Sequence, residues 1–198
     1  MCGIAGILTP SADGRELGRV MAMQRALRHR GPDGQGAWVS PSGQAAFAHT
    51  RLAVIDLSSA GDQPMSCQAS GLSVTFNGEI YNFREVRRTL EGRGVTFRSQ
   101  SDTEVVLRAY EAYGTACVDH FRGMFAFAIW NERDRIGWLA RDGFGIKPLY
   151  YTLRGGTLTF ASEVRALVAS GQVPLELDPD GTYGYFRTGS VPEPHTLL

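Results

Sequence analysis

The chain has 198 residues, of which 43% are hydrophobic and 20% charged, a balance that supports one sizeable core. Its 20 basic and 20 acidic side chains cancel to zero formal charge, and no basic stripe stands out, which argues against nucleic acid or an anionic membrane as partner. Three cysteines (Cys2, Cys67 and Cys117) form neither a CxxC pair nor an even framework, so a reducing, cytoplasmic setting is expected. No apolar run approaches the roughly 20 residues that span a bilayer. The acids and arginines from Asp13 onward exclude a signal-peptide reading of the first residues.

In chain order, CGIAGIL is short, apolar and two-sided, which suits a strand buried on both faces. Residues 16–30 place Leu17, Val20, Met21 and Leu27 near one helical face, and the helix should stop before the turn cluster RGPDG. QGAWVS, AAFAHT and RLAVID follow as strands, and LSVTFNGEIYN adds a strand and a tight turn at Asn77-Gly78. FREVRRTLEGRG reads as a helix closed by glycine. SDTEVVLRAYEAYG reads as a helix whose Ser101 and Glu104 have capping-box spacing and whose apolar face holds Val105, Val106, Ala109 and Tyr110. GMFAFAIWN, RIGWLARD, KPLYYT and TLTFAS are strands, some joined by the short turns NERDR and RGG, so antiparallel pairing is expected. EVRALVAS is a short helix. Residues 171–198, rich in Pro, Gly and Asp, show no closing element. Two groups of antiparallel strands separated by helices fit a layered α+β domain.

Four scattered histidines and the absence of HExxH spacing point away from a metal site. There is no GxSxG elbow, and GFGIKP lacks the glycine spacing and hydroxyl of a phosphate loop, so no nucleotide site is expected in this chain.

Nine segments in register resemble one family: MCGIAGIL, RHRGPDG, HTRLAVIDLS, GDQPM, FNGEIYN, SDTEVVL, GMFAFAIW, RDGFGIKPLYY and FASEVRAL. They resemble the amino-terminal glutaminase domain, a class II glutamine amidotransferase, of the glutamine-dependent asparagine synthetases. The resemblance implies a four-layer α/β/β/α sandwich of two antiparallel sheets, the N-terminal-nucleophile hydrolase fold. It places the amidotransferase domain at residues 1–170, and makes residues 171–198 a tail leading to an absent ATP-dependent synthetase domain. ATP and magnesium would belong to that domain, and no cofactor is expected in this chain.

The candidate residues have two readings each. Cys2 alone is a small apolar strand residue. The resemblance makes it a nucleophile exposed once Met1 is cleaved. A thiol with a pKa of about 8.5 is mostly protonated at neutral pH, whereas an α-amine near 7.7–8.0 is partly free, so one residue can carry both nucleophile and base. Asn77-Gly78 alone is a turn; the resemblance assigns the Asn77 side-chain amide and the Gly78 N–H to an oxyanion hole. Arg51 alone is a strand-end arginine; by resemblance its fork pairs with the glutamine α-carboxylate, with Leu52 and Val54 as walls. Asp102 alone is an acid at a helix N-terminus. By resemblance Asp102 and Glu79 lie near the substrate α-ammonium. RHRGPDG and RDGFGIKPLYY are read as structural, and Cys67 and Cys117 as non-catalytic.

The expected function is glutamine hydrolysis to glutamate and ammonia through a cysteinyl thioester, with the ammonia serving asparagine synthesis from aspartate. The expected partners are glutamine and a synthetase domain or subunit, and a homodimer is possible. Two alternatives stay open: an amidotransferase serving a sugar, peptide or polymer acceptor, and a non-catalytic domain if Met1 is retained.

Overall fold

The computed structural model describes residues 1–197. Its elements run β1 (Gly3–Leu8), α1 (Glu16–Ala26), β2 (Gly34–Val39), β3 (Ala45–Arg51), β4 (Met65–Cys67), β5 (Leu72–Ile80), α2 (Phe83–Glu91), α3 (Asp102–Tyr113), β6 (Gly123–Asn131), β7 (Ile136–Arg141), β8 (Tyr150–Arg154), β9 (Thr157–Ala161), α4 (Val164–Ala169) and α5 (Pro179–Thr188). One sheet has the order β2-β3-β1-β9-β8 and the other β4-β5-β6-β7, and every pairing is antiparallel.

Period-2 alternation sorts the strand residues into layers. On β1, Ala5 and Ile7 face α1 and α4, packing with Val20, Met23 and Leu167. Ile4 and Leu8 face the second sheet and meet Phe47, Ala126, Ala128 and Phe160. On β6, Phe125, Phe127 and Ile129 point the other way, onto Val106 and Leu107 of α3. The stack is therefore helix, sheet, sheet, helix, with α2 and α3 packed together on the outside through Val86, Leu90, Val105 and Ala109. The α+β expectation holds, and β1 is buried on both faces.

Several local expectations change. Asn77-Gly78 is no turn: β5 runs through both residues to Ile80, paired with β6 throughout. RLAVID is not a strand, because β3 ends at Arg51. There the backbone leaves the sheet, with the Ala53 N–H held by the Asp33 carboxylate at 2.9 Å. The first helix stops at Ala26, and its face is Val20 and Met23, followed by Leu27, whereas Leu17 and Met21 are exposed. The capping box is half formed: Ser101 Oγ accepts the Thr103 N–H at 3.1 Å. The Glu104 carboxylate turns instead to the Arg98 and Ser99 N–H groups at 3.0 and 2.7 Å. Residues 171–198 do contain a closing element, α5. Asp178 caps it by accepting the Asp180 N–H at 3.1 Å and also takes the His195 Nδ1 contact at 2.9 Å. Leu175, Leu177 and Phe186 remain exposed along this segment.

Candidate active site

The strand directions bring the candidate residues to one end of the stack. β1 and β3 are antiparallel, with Gly3 opposite Thr50, so the start of β1 and the end of β3 coincide. Cys2 and Arg51 are therefore neighbours at that edge. The second sheet supplies Asn77, Gly78 and Glu79 from the second half of β5, and the N-terminus of α3 supplies Asp102. Together with Met1, Leu52, Val54, Gln63 and Lys147 they line one cavity of about 110 Å³.

Cys2 is half-buried, and its Sγ receives the Leu52 N–H at 3.4 Å and lies 3.6 Å from the Leu52 carbonyl. Burial pushes the thiol pKa up; the Leu52 contact, the chain's amino terminus and Arg51 pull it down, and Asp102 adds to the rise. The net direction is upward, so the thiol needs a base to become a nucleophile. The Cys2 carbonyl accepts the Arg30 Nε–H at 2.9 Å, and Arg30 is anchored on Glu163 at 2.9 Å. RHRGPDG thus does more than turn the chain. Arg30 holds the backbone of Cys2, and Asp33 holds the loop after Arg51.

The donors on β5 follow from ladder alternation. In an antiparallel strand, successive N–H groups point to opposite edges. The Tyr81 N–H goes toward β6, to the Arg122 carbonyl at 2.7 Å. Residues 76, 78 and 80 therefore point to the other edge. β4 covers that edge only as far as Val74. Beyond it, the Phe76 N–H is taken by Gln63 Oε1 at 2.6 Å and the Ile80 N–H by Asp102 Oδ2 at 3.1 Å. The Gly78 N–H lies between them, facing the cavity that Gln63 and Asp102 both line. Its neighbour Asn77 is buried, and its Nδ2 has no hydrogen-bond partner among the described residues. A buried amide without a partner costs roughly 1–3 kcal/mol, so such a group in a pocket wall is a donor held ready.

Gly78 has no side chain for a packing reason. A Cβ there would run into the Met124 carbonyl and stand 2.8 Å from the Phe125 Cα. Burial raises the Asp102 carboxyl to about 6, with the Glu79 charge adding to the rise and the Ile80 and Thr103 N–H groups opposing it. Arg51 is enclosed by the loop that follows β3. Its Nη1 donates to Asp62 Oδ1 at 2.6 Å and to the Ser58 carbonyl at 2.9 Å, and its Nη2 donates to the Asp56 carbonyl. Leu52 and Val54 line the cavity mouth and are exposed.

Two wall residues were not singled out from sequence. Gln63, in GDQPM, bridges the open edge of β5 to α3, donating to Thr103 Oγ1 at 3.1 Å. Lys147, in RDGFGIKPLYY, is buried, and its Nζ lies 3.6 Å from Met1 Sδ. Both sat inside quoted motifs, which was the available signal.

The stacked antiparallel sheets, with a thiol at the start of a central strand, form the fold of the N-terminal-nucleophile amidotransferases. The solved glutamine phosphoribosylpyrophosphate amidotransferase from B. subtilis, complexed with ADP and GMP, superposes with a TM-score of 0.73 over 90% of this chain and 46% of that one. At 23% identity that likeness concerns the fold. Residues 1–198 match the glutamine amidotransferase domain family, and the chain belongs to it. Asparagine synthetase [glutamine-hydrolyzing] 1 of Bacillus subtilis (strain 168) is 42% identical over 202 residues, covering all of this chain and 31% of that protein. Asparagine synthetase [glutamine-hydrolyzing] 1 of Arabidopsis thaliana is 41% identical over 169 residues, covering 84% of this chain and 28% of that protein. The chain thus spans about a third of the length of the curated relatives it matches. Among the described residues no helix is long and apolar enough to cross a membrane.

Proposed function

We propose that this chain hydrolyses the side-chain amide of glutamine. The observation that carries the reading is the unpartnered Asn77 amide nitrogen in the cavity that also holds the Cys2 thiol. Once Met1 is removed, the α-amine of Cys2 takes the thiol proton, and Sγ attacks the amide carbon. The carbonyl oxygen becomes an oxyanion that accepts from Asn77 Nδ2 and the Gly78 N–H. The ammonium formed on Cys2 returns its proton to the leaving nitrogen, the C–N bond breaks, and ammonia departs. A γ-glutamyl thioester stays on Sγ. Water, deprotonated by the same amine, attacks it; the C–S bond breaks and glutamate leaves with the thiol restored.

Arg51 reads the α-carboxylate, and Asp102, with Glu79, reads the α-ammonium. A site with two fixed charges rejects analogues lacking either group, because its own charges would stay unpaired. Ammonia then passes to a synthetase domain or subunit that uses ATP, with aspartate as acceptor and asparagine as product. Support for that acceptor is the 42% and 41% identity to asparagine synthetases.

The test is glutamate release from glutamine by protein shown by intact mass to lack Met1, beside Cys2→Ala treated identically. Release is expected only from the Cys2 protein. Equal rates from both would end the nucleophile assignment.

A further inference from the structure

The guanidinium of Arg51 already holds a carboxylate. Asp62 Oδ1 lies 2.6 Å from Nη1, at the distance of a charge-assisted hydrogen bond. The other direct contacts of the guanidinium are neutral: the carbonyls of Ser58 and Asp56 accept from it, and Gly61 closes the collar, since a Cβ there would stand 2.5 Å from Nη2. The collar is itself fixed. Asp56 Oδ1 accepts the Ser58 N–H and hydroxyl at 2.9 and 2.7 Å, and its Oδ2 accepts the Gln100 N–H at 3.0 Å. The Arg51 side chain is 12% exposed and that of Asp62 63%.

We infer that Asp62 is an internal stand-in for the substrate carboxylate, competing with glutamine for Arg51 and so setting the affinity of the site. The inference rests on the assignment of Arg51 under Proposed function. Two physical effects act together. A guanidinium neutralised by a neighbour attracts an arriving carboxylate less, and the Asp62 charge repels it directly. Only molecules in which Asp62 has yielded Arg51 bind fully, so the apparent dissociation constant is the intrinsic one divided by that fraction. The fork does not need Asp62 for its aim, because the two carbonyls hold it from a loop pinned to Gln100. With Asp62 largely in solvent the pair is weak enough to be displaced, and its removal should tighten binding by about two- to fivefold.

The experiment is calorimetric titration of L-glutamine into the Cys2→Ala protein, which cannot turn over, and into the same protein carrying Asp62→Asn or Asp62→Ala. Both substitutions are expected to lower Kd about two- to fivefold at low salt. Asp62→Glu, which restores the carboxylate, should bring Kd back toward the parent value. The gap between parent and Asp62→Asn should narrow at about 0.5 M salt, where the Debye length falls to a few ångströms. An unchanged or raised Kd in both neutral variants overturns the inference and leaves the glutamine site standing. Absence of glutamine binding in every protein, parent included, overturns the site assignment, and the inference falls with it.

Discussion

Asp102→Asn should stabilise the fold while damaging the site, and the two effects can be separated by pH. Asp102 is 5% exposed, and burial raises its pKa from 3.8 to about 6. Between those values the folded state binds more protons than the unfolded chain, so stability falls as pH rises through that window. Above about 6 the whole cost is present. The difference corresponds to about 3 kcal/mol, at about 1.4 kcal/mol for each tenfold change in proton affinity. Asparagine keeps the shape and an oxygen for the Ile80 N–H but carries no charge. In urea unfolding it should exceed the parent by up to about 3 kcal/mol at about pH 8 and by little at about pH 4. Titrating groups that do not interact with Asp102 cancel in the comparison, including buried His49, whose burial lowers its pKa to about 3. In a glutaminase assay, KM for glutamine should rise in the variant. The parent's own KM should rise about tenfold per pH unit below about 6, as the carboxylate is lost. A variant that is less stable than the parent by the same amount at both pH values would refute the argument, since the buried carboxylate would then carry no electrostatic cost.

Asn77→Ala should lower kcat about 10²–10³-fold, or about 2.7–4 kcal/mol, with KM little changed; a kcat within about tenfold of the parent would remove Asn77 from the oxyanion hole. Gly78→Ala should destabilise the domain by about 1–3 kcal/mol, because its Cβ meets the Met124 carbonyl and the Phe125 Cα and forces β5 off β6. An unchanged urea midpoint would contradict that. Protein that keeps Met1, prepared with methionine aminopeptidase inhibited and checked by intact mass, should release no glutamate, because residue 2 then has an amide in place of its amine; activity equal to the processed form would place the base elsewhere.

The strands were legible because a short apolar run such as GMFAFAIWN is a local signal, whereas the four layers followed only from the resemblance; the structure sorts Phe125, Phe127 and Ile129 onto one face of that strand and Ala126, Ala128 and Trp130 onto the other. The candidate site was legible only as residue types. What holds those residues comes from contacts far apart in sequence. Asp33 fixes the loop after β3, Arg30 reaches the Cys2 carbonyl, and Asp56 ties that loop to Gln100. Spacing likewise suggested a full capping box at Ser101 and Glu104, but the preceding segment offered the Glu104 carboxylate three backbone and hydroxyl donors, and it turned there.

Asn77-Gly78 carries the strongest lesson. The dipeptide's turn preference is real, yet it lost to nine residues of pairing between β5 and β6. Glycine was then required by the closeness of β6, not by a turn. Its N–H became available because the strand alternates: positions 76 and 80 found Gln63 and Asp102, and position 78, between them, was left facing the cavity. The same two side chains that satisfy the neighbouring amides also line the pocket. The donor that a turn was expected to expose is thus supplied by an uncovered sheet edge. Extending β4 past Val74 would close that edge.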